Sequence, residues 1–308
     1  MNTKSLCCSA AVIGCIVFSS CSAKNVYESY TGMARSKAGL TEKTVQVDGC
    51  SVVYLEGGTG ETVVLIHGFG AEKDYWTPMS EYMKGYHLII PDLPGFGESE
   101  KRSDISYDVV SQADRIHLLL KTLGVKKAFI AGNSMGGNIA GIFAAKYPDD
   151  VIALGLLDNA GIVAPEKSDL TKMLELGINP LIVNKADDFD NLMDFGYAEK
   201  PYIPSPVKAY LAGEAIRSKP YNEKVWVDME RKPAMLQNYL NKLTMPVLII
   251  WGDKDRIINV SCVPVMEKSL KRYRTHILKN CGHGPMMERP EETAGYIKDF
   301  LQKDIKML

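Results

Sequence analysis

The sequence predicts an α/β fold: a mostly parallel sheet of eight strands, with helices on both faces and an inserted helical cap. Strands that alternate with helices along a chain form parallel sheets that are covered on both sides. A hairpin predicted over residues 45–54, with its turn near Asp48-Gly49, adds two antiparallel strands. Five further strands are predicted from short, mainly apolar runs near residues 62–66, 87–91, 127–131, 151–157 and 246–251, and a sixth is predicted near residues 274–279.

Helices are predicted between these runs wherever apolar residues recur at helical spacing. One such helix ends at Gly124, since glycine disfavours its continuation. Another lies near the end of the chain. The apolar stripes of both predict packing against the sheet rather than ligand binding. They consist of Val109, Ala113, Ile116, Leu120 and Leu123 in the first helix, and Ala294, Ile297, Phe300 and Leu301 in the last.

The stretch 162–242 breaks the alternation and predicts the cap, so the core is expected to comprise residues 43–161 and 243–308. The stretch is helical in character and lies between two core strands. Most of its apolar side chains are expected to pack the cap onto the core, and a few to line an acyl-chain pocket or to face a membrane. These side chains are Leu170, Met173, Leu174, Leu176, Ile178, Leu181, Ile182, Phe189, Leu192, Met193 and Phe195.

The strongest sign of chemistry is Ser134, which lies between Gly132 and Gly136. An apolar strand precedes this segment and an apolar helix follows it, which is the context in which G-x-S-x-G forms a sharp turn. Such a turn strains the backbone at the serine and lifts its hydroxyl clear of the sheet. Side chains at the two flanking positions would collide, so both must be glycine. We therefore predict a nucleophilic serine; the alternative is a glycine-rich loop that opens a helix.

A nucleophilic serine needs a base and an orienting carboxylate, and in this type of fold the acid precedes the histidine along the chain. His283 is the predicted base because it lies on a glycine-flanked loop after the last strand, whereas His276 is expected inside that strand. Asp255 is the preferred acid, deep in the loop after the preceding strand. The alternatives are Asp253, expected to cap its own turn, and Asp158, at the end of an earlier strand.

Acyl transfer also needs two preset N–H donors for the oxyanion. The amide of Met135, directly after the nucleophile, is one expected donor. The second is the amide of Phe69, whose flanking glycines free the backbone in the loop after the strand 62–66. His67 is expected to hold this loop by hydrogen bonds rather than to react.

Five motifs, in this order along the chain, resemble those of the α/β-hydrolase superfamily. The resemblance covers about residues 43–303 and is strongest to membrane-associated monoacylglycerol lipases and bacterial lipases and esterases. It implies Ser134, Asp255 and His283 as a catalytic triad, and Phe69 and Met135 as the oxyanion hole. The motifs lie at 67–70, 91–99, 132–136, 251–255 and 282–291.

The function that this resemblance implies is a serine hydrolase that cleaves carboxylic acyl esters through an acyl-enzyme, without a cofactor or metal. Monoacylglycerol and other small lipid esters are the expected substrates. One alternative is a C–C bond hydrolase of aromatic ring-cleavage products, although members of that family commonly carry tryptophan where this chain has Gly284. A further alternative is a non-catalytic envelope lipoprotein that binds acyl ligands.

The first twenty residues predict a lipoprotein-type signal segment. A short basic start precedes an apolar stretch too short for a comfortable transmembrane helix. The small residues before Cys21 resemble a bacterial lipobox, which implies cleavage and lipid attachment at Cys21. Residues 21–42 are then expected to be a tether, and the protein to be a membrane-anchored lipoprotein of the cell envelope. The alternative is an uncleaved N-terminal signal anchor.

The net charge and the cysteine spacing argue against nucleic-acid binding and against a zinc site. The formal net charge of −1, without a basic stripe, argues against nucleic-acid binding. Outside the predicted signal segment and Cys21, three cysteines remain, and their wide spacing gives no zinc pattern. Cys50, Cys262 and Cys281 are therefore expected to be buried packing residues. A nucleophilic Cys281 is the alternative, because it lies two residues from His283.

Overall fold

The computed structural model describes the main chain of residues 7–305 and the side chains of residues 23–305. Part of the predicted signal segment and the side chain of Cys21 lie outside the described residues. Of the helices that the structure describes, none is both long enough and apolar enough to span a bilayer.

Eight strands form a single sheet in the spatial order β1-β2-β4-β3-β5-β6-β7-β8. The first pair and the β2–β4 pair are antiparallel, and all other neighbours are parallel. The predicted eight-stranded, mostly parallel sheet is therefore confirmed. The strands are β1 (Leu40–Val47), β2 (Cys50–Gly57), β3 (Glu61–Ile66), β4 (Tyr86–Pro91), β5 (Ala128–Asn133), β6 (Val151–Leu157), β7 (Val247–Gly252) and β8 (Tyr273–Leu278).

Helices cover both faces of this sheet. Successive strand residues therefore point alternately into two buried cores, one on each face. In β3, Val64 and Ile66 belong to one core, and Val63 and Leu65 belong to the other. The described helices are α1 (Cys7–Ala38), α2 (Thr77–Ser80), α3 (Val109–Thr122), α4 (Met135–Lys146), α5 (Asp169–Glu175), α6 (Ala186–Gly196), α7 (Ser205–Arg231), α8 (Cys262–Glu267), α9 (Pro285–Glu288) and α10 (Pro290–Phe300).

The strand order places the loops that follow β3 and β5 next to each other. The chain runs from β3 outward to β4 on one side, and from β5 outward to β6 on the other. Open α/β sheets bind ligands at the carboxyl ends of the strands where the order reverses in this way. Phe69 follows β3 and Ser134 follows β5, so the fold brings these two predicted site residues to one place.

Between β6 and β7 the chain forms α5, α6, α7 and a short 3-10 helix, Leu236–Lys242. The C-terminal end of α6 is bonded to the loop that follows β8. Gly196 accepts a hydrogen bond from the amide of His283 at 2.8 Å. A carboxylate oxygen of Glu288 accepts from the amides of Ala198 and Glu199 at 2.9 and 2.8 Å. This part of the insertion is thus fixed to the edge of the sheet that carries the predicted base.

The predicted tether differs from what is observed between residues 24 and 42. This stretch continues helix α1 to Ala38 and enters β1 at Leu40. The Tyr27 hydroxyl donates to Glu72 at 2.7 Å, and its ring stacks on Tyr210 of α7 at 4.5 Å. Arg35 forms two hydrogen bonds with Asp74, the one from Nε at 2.7 Å. Charge pairing and aromatic stacking therefore dock a segment that its polar composition alone suggested would be free.

Candidate active site

Ser134 lies at the sharp turn between β5 and α4. Its backbone has φ 57° and ψ −123°, a conformation that non-glycine residues rarely adopt. The turn is held from three sides. The Ser134 amide donates to Leu157 of β6 at 3.0 Å, and its carbonyl accepts from the amides of Gly137 and Ala160 at 3.0 and 2.9 Å. The strained residue therefore has little freedom to relax.

The two flanking glycines allow main chains to approach without side chains between them. A Cβ on Gly132 would lie 2.1 Å from the carbonyl oxygen of Gly136. A Cβ on Gly136 would lie 2.3 Å from the carbonyl oxygen of Ile66 and 2.4 Å from that of His67. The predicted need for glycine at both positions is thus met by this packing. The second glycine also lets α4 begin directly against the end of β3.

His283 lies on the loop after β8, and its Nδ1 is 2.7 Å from Oδ2 of Asp255. The Asp255 side chain is completely buried. Its other oxygen, Oδ1, accepts from the amides of Ile257 and Ile258 at 2.8 and 3.0 Å. The carbonyl of His283 accepts from Nδ2 of Asn133, the residue before the serine, at 3.0 Å. The imidazole is therefore oriented by its own ring nitrogen and by its main chain, with Nε2 left for chemistry.

The structure brings Asp255, and not Asp253, to His283. The amide of Asp253 donates to Leu278 at 3.0 Å, and its carboxylate lies 3.8 Å from Lys279. Asp158 lies beside the pair, with one oxygen accepting from the amide of Gly252 at 2.9 Å. Burial, and next the nearby charge of Asp255, raise the pKa of Asp158 well above its ordinary value. Asp158 and Asp255 thus lie together behind the imidazole.

The two expected oxyanion donors flank the serine. Phe69 and Met135 line the same cavity as Ser134. Among the loop and turn hydrogen bonds of the described residues, neither the Phe69 nor the Met135 amide has a main-chain acceptor. The Phe69 ring packs edge-on against Phe96 at 5.9 Å and against Trp226 of α7 at 5.5 Å. These contacts hold the loop beside the serine, as an oxyanion hole requires.

His67 and His276 occupy the structural positions expected for them. The His67 ring lies between Gly68, whose carbonyl is 2.7 Å from Nδ1, and Leu93, whose amide donates to Nε2 at 3.0 Å. This pattern fits a neutral ring with its proton on Nδ1. Burial lowers the pKa of His67, which also favours the neutral ring. His276 lies within β8 and stacks on Tyr296 at 3.8 Å. Both rings serve packing.

Two cavities meet at Ser134. The smaller, of about 90 Å³, is lined by both Ser134 and His283. The larger, of about 510 Å³, extends from Ser134 toward α7 and the start of the insertion. Phe69, Leu181 and Ile257 line both cavities. The smaller cavity is also lined by Leu192, Met193, Tyr197 and Met286, and the larger by Val109, Ile162, Ala164, Leu170, Trp226 and Met229.

The remaining sequence candidates have other surroundings. Cys50, Cys262 and Cys281 are buried free thiols, as predicted. Burial raises the pKa of Cys262 to about 12 and raises that of Cys281 further, so neither provides a thiolate at neutral pH. Asp158, Asp255 and His283 are also close enough to share a cation, but the His283–Asp255 hydrogen bond uses the atoms that would bind it. The absence of a metal or cofactor stays a prediction.

Several residues of the site were not predicted. Trp226 and Met229 lie on α7, far along the chain from the serine, and only the folding of the insertion brings them to the larger cavity. Tyr197 lines the smaller cavity together with His283 for the same reason. The role of Asn133 could have been suspected from its place directly before Ser134. For the α7 residues, the sequence contains no comparable signal.

Comparison with known proteins agrees with this geometry. A model of the α/β-hydrolase fold matches residues 61–290. Lipase 1 of Psychrobacter immobilis is 36% identical, over 97% of this chain and 98% of its own length. A monoacylglycerol lipase of Xenopus laevis is 34% identical, over 82% of this chain and 78% of its own. The crystal structure of a membrane phospholipase A, a bacterial virulence factor, superposes with a TM-score of 0.91 at 42% identity, covering 95% of this chain and 94% of that one.

The close packing at the serine turn predicts a large cost for a single methyl group. We expect Gly136→Ala to lower the free energy of unfolding by at least about 2 kcal/mol, because backbone carbonyls cannot move away from the new Cβ. Gly295→Ala is the matched control, since a Cβ there has no neighbour within 4 Å. In helix α10 it should raise stability by about 0.5–1 kcal/mol. Urea unfolding measures both; equal effects of the two substitutions would contradict this account of the turn.

Proposed function

The chain belongs to the α/β-hydrolase family, and we propose from this premise that it is a serine hydrolase of carboxylic esters. The observation that carries the proposal is the relation of three side chains. Ser134, at a strained turn, shares a cavity with His283, and the ring of His283 is bonded to the buried Asp255 at 2.7 Å. Nucleophile, base and orienting acid in this relation are the machinery of acyl transfer.

The chemistry proceeds in two halves. Nε2 of His283 accepts the proton of the Ser134 hydroxyl while Oγ attacks the ester carbonyl, and the charge that develops on the carbonyl oxygen is held by the amides of Phe69 and Met135. The tetrahedral intermediate collapses, His283 donates its proton to the leaving alcohol, and an acyl-serine remains. Water then attacks this ester with His283 as base, which releases the carboxylic acid and restores the serine.

Asp255 serves both halves of the reaction. Its carboxylate holds the imidazole in the tautomer with the proton on Nδ1, so that Nε2 is free to accept a proton. When His283 becomes positively charged, the buried negative charge lies 2.7 Å away and stabilises it. The hydrogen bonds from the amides of Ile257 and Ile258 to Oδ1 keep the carboxylate in this position.

Replacement of the nucleophile tests the proposal directly. We expect Ser134→Ala to lower kcat for p-nitrophenyl butyrate by about 10⁴-fold or more, since base and acid have nothing to activate. It should also abolish labelling by a fluorophosphonate probe. Ser103→Ala, at an exposed position, is the control and should keep both. Undiminished turnover in Ser134→Ala would refute the assignment, and a folded wild-type protein without probe labelling would favour a non-catalytic acyl-binding protein.

Lipid esters are the substrate class that we infer, with monoacylglycerol first. The names of the relatives support it, because they include lipases, monoacylglycerol lipases and a membrane phospholipase A. The cavities also support it: the larger, of about 510 Å³, suits an acyl chain, and the smaller, of about 90 Å³, suits a short alcohol. Monoacylglycerol and a glycerophospholipid therefore belong together in the first substrate panel.

The assignment of the acyl chain to the larger cavity has a matched test. Ala164 lines the larger cavity alone and Leu192 lines the smaller alone. We expect Ala164→Trp to lower kcat/KM for the palmitate ester at least about tenfold relative to the butyrate ester, because the ring fills the space of the distal chain. Leu192→Trp should instead weaken cleavage of both esters alike. A chain-length shift in Leu192→Trp, and not in Ala164→Trp, would reverse the assignment.

The alternative of a C–C bond hydrolase has a steric obstacle at Gly284. A Cβ at this position would lie 2.6 Å from the ring of Tyr197, so the tryptophan common in that family could not be accommodated without moving Tyr197. Vinylogous diketones belong in the substrate panel as the compounds that this alternative would cleave. Turnover of these and not of esters would favour it.

We further propose that the protein is a membrane-anchored lipoprotein of the cell envelope, with the lipid on Cys21. The apolar start of the chain and the small residues before Cys21 support this. Cys21 lies six residues before Tyr27, whose hydroxyl binds Glu72 and helps to dock α1 onto the rest of the protein. An anchor at this point would hold the enzyme close to a source of lipid substrate.

Metabolic labelling with an alkyne fatty acid tests the anchor. We expect the wild type and Cys15→Ser to take up label and to sediment with membranes, since position 15 lies in the segment to be removed. Cys21→Ser should take up none, because the thiol that receives the lipid is gone. An unlabelled wild type in the membrane fraction would instead indicate an uncleaved signal anchor.

A further inference from the structure

Two acids, and not one, lie behind the imidazole of His283. Asp158 follows β6 and Asp255 follows the adjacent strand β7, so both lie at the same edge of the sheet. A carboxylate oxygen of each and a ring nitrogen of His283 lie within 4.8 Å of one another. Asp158 is fully buried, and so is the side chain of Asp255. The triad needs only the second of these acids, so the first calls for an explanation.

The hydrogen bonds divide unequally between the two acids. Asp255 accepts from the amides of Ile257 and Ile258 and faces Nδ1 of His283. Asp158 accepts a single bond, from the amide of Gly252 to Oδ1. Its Oδ2 is buried and has no donor among the described residues. Three donors stabilise charge on Asp255, whereas one stabilises charge on Asp158, so the negative charge belongs on Asp255.

The charged surroundings point the same way. The groups that act on Asp158 are Asp255 and Glu288, both acidic, and the amide of Gly252. The Cys281 thiol also lies within the influence of Asp158, and its raised pKa keeps it neutral. None of the described groups that act most strongly on Asp158 is a cation, and His283 becomes one when it takes up a proton. Two ionised carboxylates so close together in a dry interior repel strongly, and one of them keeps its proton.

We propose that Asp158 and Asp255 form an acid pair that carries one negative charge, with the proton on Asp158 donated toward Asp255. The orphaned Oδ2 is then a hydroxyl donor, and its acceptor is the carboxylate of Asp255, of which an oxygen lies within 4.8 Å of an oxygen of Asp158. Asp158 is a positioning residue that acts on His283 through Asp255.

Asp158 can also replace Asp255 as the negatively charged group behind His283, an inference that rests on the proposed hydrolase function. If Asp255 is replaced by a neutral residue, burial still favours a protonated Asp158, but the repulsion by Asp255 disappears and a positively charged His283 has only Asp158 as a nearby acid partner. Asp158 can then ionise and supply the negative charge behind His283. Loss of Asp255 alone should therefore be less damaging than loss of both acids.

Infrared spectroscopy of the full-length protein tests the proton directly. Protein labelled with ¹³C at the aspartate carboxyl should show, at pH 7, a protonated-carboxyl C=O band that shifts with the isotope. Labelling aspartate alone leaves out Glu72, a half-buried acid whose pKa is raised to about 8, chiefly by loss of solvent contact. The band should be missing from Asp158→Asn and retained in Asp253→Asn. An isotope-sensitive band that is absent from the wild type at pH 7 overturns the proposal, whether or not the variants fold.

Kinetics tests whether Asp158 can replace Asp255. We expect Asp255→Asn to retain at least about tenfold higher kcat/KM than the double variant Asp158→Asn/Asp255→Asn, with p-nitrophenyl butyrate as substrate. The control Asp253→Asn should match the wild type. Equal activity of the single and double variants overturns this replacement role. A wild type that shows the infrared band but cleaves no ester would leave the acid pair standing and refute only the hydrolase function.

Discussion

The site depends on one constraint, the contact of bare main chains where β5 turns into α4. Because Gly132 and Gly136 carry no side chain, the start of α4 lies directly against the end of β3. This contact sets the strained conformation of Ser134 and brings the loop of Phe69 beside it. The oxyanion donors and the nucleophile are thus placed by the same packing. The buried sheet around Ser134 holds its backbone in the strained conformation.

The sheet was largely predictable, because a strand buried on both faces is written as a run of apolar residues. The six strands predicted after the hairpin differ from the observed ones by at most two residues at either end, whereas the hairpin extends beyond its predicted bounds, over Leu40–Val47 and Cys50–Gly57. The serine turn and Asp255 were predictable for a related reason, since each follows such a strand, and the histidine loop was predictable from the glycines on either side of His283. The helical state of residues 24–38 was not, because it depends on partners such as Glu72, Asp74 and Tyr210, distant in the chain.

The larger cavity and the acid pair were also beyond the sequence. Trp226 contacts Phe69 because α7 packs against the loop that follows β3, and no local sequence pattern predicts that packing. Asp158 was visible as a rival to Asp255, since both end strands. That the two would adjoin follows from the neighbouring positions of β6 and β7, and their unequal hydrogen bonding follows from loop geometry. Two residues that were alternative candidates for one role, Asp158 and Asp255, thus lie side by side in the structure.

The bonds between α6 and the histidine loop restrict how a bulky lipid can enter. Lifting α6 away from the sheet would break the hydrogen bond from the His283 amide to the Gly196 carbonyl. It would also break the hydrogen bonds from the amides of Ala198 and Glu199 to Glu288. The base would lose its alignment in the same movement. The C-terminal end of α6 is therefore a fixed wall of the smaller cavity, and a lipid must enter by a path that leaves these hydrogen bonds intact.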